Sequence, residues 1–171
     1  MIKKYWYLVA TPLVFIAIMG IKQWYLSPKF GLGYQAPVFE AKLISGELFK
    51  IQDLRGRYVL LDFWASWCGP CLQDLRTTVY PIWQQYKSNP NFAIVSVSLD
   101  HNHNQWLSGI KKEGLTWPIH LSSLKGFDEP IALLYKVHSI PQKYLLDPQG
   151  TIIAVDPDED KLKEILDRVL K

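Results

Sequence analysis

Two cysteines, the only ones in the 171-residue chain, stand three apart in Trp67-Cys68-Gly69-Pro70-Cys71. Random placement would give that separation in about one pair in a hundred. A strongly apolar run, 58–64, leads into the motif, and a helix-like pattern follows it. A cysteine at a helix start meets unpaired backbone N–H groups and the positive end of the helix dipole, which together favour the thiolate. The thiolate is the nucleophile of disulfide exchange, so Cys68 is the expected attacking sulfur. Cys71, one turn further on, is placed to attack a mixed disulfide formed at Cys68 and release a reduced substrate. Pro70 is tolerated in a first helical turn, and Gly69 lets a substrate backbone approach closely. A purely structural disulfide of this spacing would restrain little of the unfolded chain, and no second cysteine pair or finger-like histidine spacing completes a zinc site.

The elements that must hold this motif are legible around it. The run 58–64 predicts a buried central strand, and Leu72, Leu75, Val79, Ile82, Trp83 and Tyr86 recur at helical spacing until Asn89-Pro90. Residues 92–99 predict a second buried strand and 105–113 a helix ending at Gly114; strand, helix, strand in this order implies a right-handed crossover and a parallel pair. Upstream, 39–43 and 48–51 flank Ser45-Gly46 as a strand pair. Downstream come a short helix at 130–135, a hairpin of 144–146 and 152–155 around Asp147-Pro148-Gln149-Gly150, and an amphipathic helix at 160–170.

Composition frames one α/β domain: 49% of residues are hydrophobic and 20% charged, enough to bury a core. The N-terminus differs. Residues 5–21 form a 17-residue uncharged run between Lys3-Lys4 and Lys22, with Trp6 and Trp24 near its ends. As a helix it spans about 25 Å, the lower limit for crossing a bilayer. An uncleaved membrane anchor over 1–26, a linker over 27–35 and a domain over 36–171 are therefore expected. No small-residue cleavage site follows the apolar run. The slight lysine bias places the N-terminus in the cytoplasm and the domain outside. Without Lys3, Lys4, Lys22 and Lys29, 15 Lys+Arg face 16 Asp+Glu, so nucleic acid is not an implied partner.

With these residues in hand, the chain resembles thioredoxin-fold proteins, in particular the membrane-anchored thiol-disulfide oxidoreductases of the TlpA/ResA type. The resemblance covers about residues 36–171 and rests on 61–71, on Ser139-Ile140-Pro141, and on 144–150. It implies a central mixed β-sheet flanked by helices on both faces, behind an N-terminal transmembrane helix. It implies a cis Ile140-Pro141 bond facing the redox pair, with Ile140 and Pro141 flooring a substrate groove walled by Trp67 and bounded by Gly69 and Pro70. Asp62, in the buried strand, matches the family's buried acid and resembles a general base; Asp74, three residues after Cys71, stands where relatives often carry a glutamate. The implied partners are a disulfide-containing protein substrate, a membrane-linked thiol electron donor and the lipid bilayer, at a bacterial inner membrane with the domain outside. No cofactor or metal is implied.

Three departures accompany the resemblance. Arg76 replaces the proline often found five residues after the second cysteine, with Pro81 later, so the helix kink is expected to move or vanish. The strand 92–99 lacks the lysine that thioredoxins set beside their buried acid. His101 and His103 lie in a polar loop, a weak metal signal. A peroxiredoxin-like peroxidase is a rival reading, although Ala65 stands where those enzymes have threonine; a copper-handling module using His101 or His138 is another.

Overall fold

The computed structural model describes residues 7–170, with side chains from residue 10 onward. Two strands, β1 (Glu40–Lys42) and β2 (Leu48–Lys50), pair antiparallel around the turn at Gly46, as the Ser45-Gly46 dipeptide predicts. The main sheet has five strands: β3 (Tyr58–Trp64), β4 (Phe92–Ser98), β5 (Ile119–Leu121), β6 (Gln142–Leu146) and β7 (Ile152–Val155), in spatial order 5-4-3-6-7. β3, β4 and β5 run parallel; β6 opposes β3, and β7 opposes β6. The mixed sheet is thus the expected one. β5 was not foreseen, because three residues behind Pro118 carry too short a pattern to register.

β3 is central because six of its seven residues are buried, on both pleats, which requires cover on both sheet faces. Phe63 packs against Tyr135 and Tyr144, and Tyr135 Oη donates to the Pro37 carbonyl at 2.8 Å. The cysteine helix runs in three pieces: α2 (Gly69–Asp74), a π-helical turn (Leu75–Val79) and α3 (Tyr80–Tyr86). Pro81 has no N–H to give and its ring crowds the preceding turn. Widening that turn to π geometry relieves the clash. The helix is therefore interrupted at the π turn, and the one proline that follows Cys71 in this helix, Pro81, stands downstream of that turn.

α4 (His103–Lys112) starts at Asn102, whose side chain accepts from the Gln105 N–H at 3.1 Å, and ends before Gly114 at φ +65. α5 (Pro130–Leu134) is one short turn group ahead of the cis-proline loop. α6 (Glu159–Val169) is capped by Asp158, carries acids in its first turn, and buries Leu162, Ile165 and Leu166. The 27–35 segment is joined to the sheet: Gly33 donates to the Ile152 carbonyl, Ile152 to that of Tyr34 and Ala36 to that of Gly150, each at 2.9 Å.

The N-terminal helix α1 (Tyr7–Leu26) forms, but the expected transmembrane helix is corrected in one respect. Among the described residues no helix is long and apolar enough to cross a membrane. Pro12 lies within the helix and Lys22 and Gln23 end its uncharged run, while Tyr5, Trp6, Lys3 and Lys4 lie outside the described residues.

Candidate active site

β3 delivers the chain to the redox motif, and the turn after it is fastened from β4. Leu99 donates to the Trp64 carbonyl at 2.8 Å, and Cys68 donates to that of Ala65 at 3.1 Å. Asp100, fully buried, accepts from the Ser66 N–H at 3.1 Å, from Ser66 Oγ at 2.7 Å and from Ser98 Oγ at 2.6 Å. These bonds satisfy a buried carboxylate and at the same time fix the turn that presents Trp67 and Cys68. Sequence reasoning passed over Asp100; its signal was a Ser-x-Asp at the C-terminal end of a parallel strand, where sites on α/β sheets concentrate.

Cys68 caps α2: its sulfur accepts from the Cys71 N–H at 3.2 Å, and Pro70 sits in the first turn. Cys68 and Cys71 are joined as a disulfide with Cα atoms 5.2 Å apart. Their environments differ. Cys68 is 6% exposed and Cys71 1%, and Trp67 beside them is 53% exposed. The Ile140–Pro141 bond is cis, and the Ile140 carbonyl oxygen lies 4.0 Å from Cys68 Sγ. A side chain at Gly69 would meet nothing within 4 Å, so the backbone beside the cysteines is open to an approaching chain. Beyond Trp67 a groove continues along α4, lined by Ser66, Asn104, Gln105, Ser108 and Lys112.

The two carboxylates are brought together by a third residue. Asp62 on β3 stands opposite Ser96 of β4 and opposite Lys143 of β6. Ser96 Oγ donates to Asp62 at 3.3 Å and itself accepts from Trp117 Nε1 at 3.0 Å. Lys143 is buried, and its ammonium donates to Asp74 Oδ2 at 2.7 Å. Asp156, just past β7, accepts from the Lys143 N–H at 2.7 Å and from Gln142 Nε2 at 2.9 Å. Burial pushes the Asp62 carboxyl up to about 7; Lys143 and the Ser96 hydroxyl oppose the rise, while Asp74 and Asp156 add to it. Burial likewise raises Asp156.

The lysine that the sequence lacked on β4 is thus supplied by β6. Lys143 lies just before the strand expected at 144–146, and nothing short of the sheet register reveals its neighbour. Lys143→Met is expected to raise the Asp62 carboxyl further and to cost about 3 kcal/mol or more, because it leaves the buried Asp62 carboxylate without its cation. The penalty grows as Asp62 ionises, so urea unfolding should show a larger loss at pH 8 than at pH 5.

The surrounding chain has clear relatives. Residues 56–152 match the family described as Thioredoxin-like. The chain belongs to the thioredoxin-like family. This thioredoxin-like chain is 33% identical over 150 residues to the thioredoxin-like protein YneN of Bacillus subtilis, covering 82% of the chain and 84% of that protein. It is 32% identical over 127 residues to the thiol-disulfide oxidoreductase ResA of Oceanobacillus iheyensis, covering 72% of the chain and 63% of the relative's length. Among solved structures, a thiol-disulfide oxidoreductase from Bacteroides fragilis superposes with a TM-score of 0.73 at 33% identity, over 80% of this chain and all of that one. This thioredoxin-like chain is a thiol-disulfide oxidoreductase with Cys68–Cys71 as its C-x-x-C disulfide.

Proposed function

We infer that this protein is a disulfide reductase in which Cys68 attacks and Cys71 resolves. The asymmetry of the pair carries the reading: Cys68 caps the helix with its sulfur near the cis-proline carbonyl, and Cys71 is enclosed behind it. In the reduced protein the Cys68 thiolate attacks a substrate disulfide; a Cys68–substrate bond forms, and the departing substrate sulfur takes a proton from solvent. Cys71 then loses its proton and attacks Cys68 Sγ. The second substrate thiol leaves, and the disulfide seen here is regenerated with two electrons passed to the substrate. A thiol donor must then reduce the pair again.

Asp62 is the proton acceptor for Cys71, since a carboxyl near 7 exchanges protons at neutral pH. Asp74, one turn beyond Cys71 and held by Lys143, keeps the local charge balanced. Trp67 and the Ile140–Pro141 pair flank the attacking sulfur as substrate contacts, and Gly69 and Pro70 leave the backbone beside it open to a substrate chain. Residues 36–171 are the catalytic domain, 27–35 the connector and 1–26 the membrane tether, with the domain outside the cytoplasm. The uncharged run that starts at Tyr5 and the exposed Leu13, Val14, Phe15, Ile16, Ile18 and Ile21 of α1 support the tether.

The test is a trap. Cys71→Ala in the full chain should accumulate mixed disulfides on Cys68 with protein partners, released by dithiothreitol, and the fraction should pellet with membranes. A wild-type chain that neither reduces insulin nor exchanges with dithiothreitol would overturn the reading.

A further inference from the structure

The end of α1 packs on the loop that leads into the redox site. The Tyr25 ring stacks on the His138 imidazole, with centroids 4.3 Å apart and planes 25° from parallel. Ser139 Oγ donates to the Leu26 carbonyl at 3.3 Å, satisfying one of the acceptors that a helix C-terminus leaves open. His138 and Ser139 lead directly into Ile140, whose carbonyl lies 4.0 Å from Cys68 Sγ. The helix end is itself secured: Ser27 Oγ donates to the Trp24 carbonyl at 2.7 Å, Lys29 donates to the same oxygen, and the Lys29 ammonium sits 4.5 Å from the Trp24 ring centroid.

Only part of this aromatic surface is used. Tyr25 remains 52% exposed and Trp24 71%. It adjoins the cis-proline side of the sulfur, while Trp67 flanks the motif itself. We propose that the end of α1 forms a rim of the substrate groove, with Tyr25 and His138 determining specificity by holding the polypeptide that flanks a substrate's disulfide. The proposal rests on the reductase reading and adds the residues that favour a polypeptide disulfide over a small one. The occupant follows from continuity: a chain whose sulfur is bonded to Cys68 passes the Ile140 carbonyl, and the next surface along that loop is the Tyr25–His138 stack. A small disulfide such as oxidised glutathione reaches Cys68 without extending that far.

The test compares full-chain variants on two substrates, insulin and oxidised glutathione, with dithiothreitol as electron source. Tyr25→Ala should raise KM for insulin about five- to tenfold, the size of a lost aromatic contact, with kcat within about twofold. Turnover of oxidised glutathione should be unchanged, and Tyr25→Phe, which keeps the ring, should restore the insulin KM. An unchanged insulin KM in Tyr25→Ala overturns the proposal. An equal loss on both substrates also overturns it, because the stack then only supports the loop. Failure of the wild-type chain on both substrates instead removes the reductase reading.

Discussion

Cys68→Ser should lower disulfide exchange by at least about a thousandfold while the fold survives. The rate falls because a serine hydroxyl at the same helix start remains protonated at neutral pH, whereas a thiol there is readily deprotonated. The fold survives because the disulfide closes a ring of only a few residues; chain entropy assigns such a ring about 2 kcal/mol. The rest of the site is held by bonds that do not involve the sulfur, chiefly those of Asp100 to Ser66 and Ser98. Insulin reduction gives the rate, and thermal unfolding with unchanged circular dichroism gives the fold. A variant that unfolds cooperatively yet retains exchange would transfer the nucleophile's role to Cys71. The single substitution Cys71→Ala separates the steps, since it should still attack but not resolve.

Asp62→Asn should stabilise the protein above neutral pH and slow the resolving step. The folded Asp62 carboxyl sits at about 7 against an ordinary 3.8, so between those values the native state holds a proton that the unfolded chain has released. Stability due to this group is therefore intact below about pH 4, falls as pH rises toward 7, and is lowest above that. A difference of about three pH units corresponds to roughly 4 kcal/mol. Asparagine matches the shape, keeps an acceptor for Ser96 Oγ, and leaves Lys143 its bond to Asp74. A gain of about 2–4 kcal/mol at pH 8, vanishing near pH 4, is expected from urea unfolding. On the proposed role of Asp62 as proton acceptor, release of substrate from the Cys68 mixed disulfide should slow about a hundredfold and lose its inflection near pH 7. Unchanged resolution kinetics would remove Asp62 from proton transfer and leave it a purely electrostatic role.

What could be read from the chain alone was whatever leaves a local pattern. The C-x-x-C spacing, the largely apolar run of β3 and the turn residues between β6 and β7 each announce themselves within a dozen positions. The membrane span was read from the same kind of pattern, yet the described part of α1 is not long and apolar enough to cross. The charge arrangement around Asp62 has no such pattern. Lys143 is 81 residues away in sequence and becomes a neighbour only because β6 lies antiparallel against β3 in one register. A shift of one residue would have turned its side chain to the other face of the sheet. Asp100 is similarly silent, since its task is to hold a turn built 34 residues earlier. The π turn is intermediate: Pro81 signals a disturbance, but how the backbone absorbs it depends on packing around Leu75 and Val79.

The pairing of residues 33–36 with β7 has a consequence for how the protein behaves when crowded. A strand left at the margin of a sheet offers unpaired N–H and C=O groups to any extended chain nearby. Here Gly33 and Tyr34 pair with Ile152 at the start of β7, Ala36 bonds Gly150 just before it, and Leu43 bridges to Leu121 on β5 at the opposite margin. Residues 33–43 therefore cover one end of each margin. That cover shortens the stretch on which an extended chain could add to the sheet.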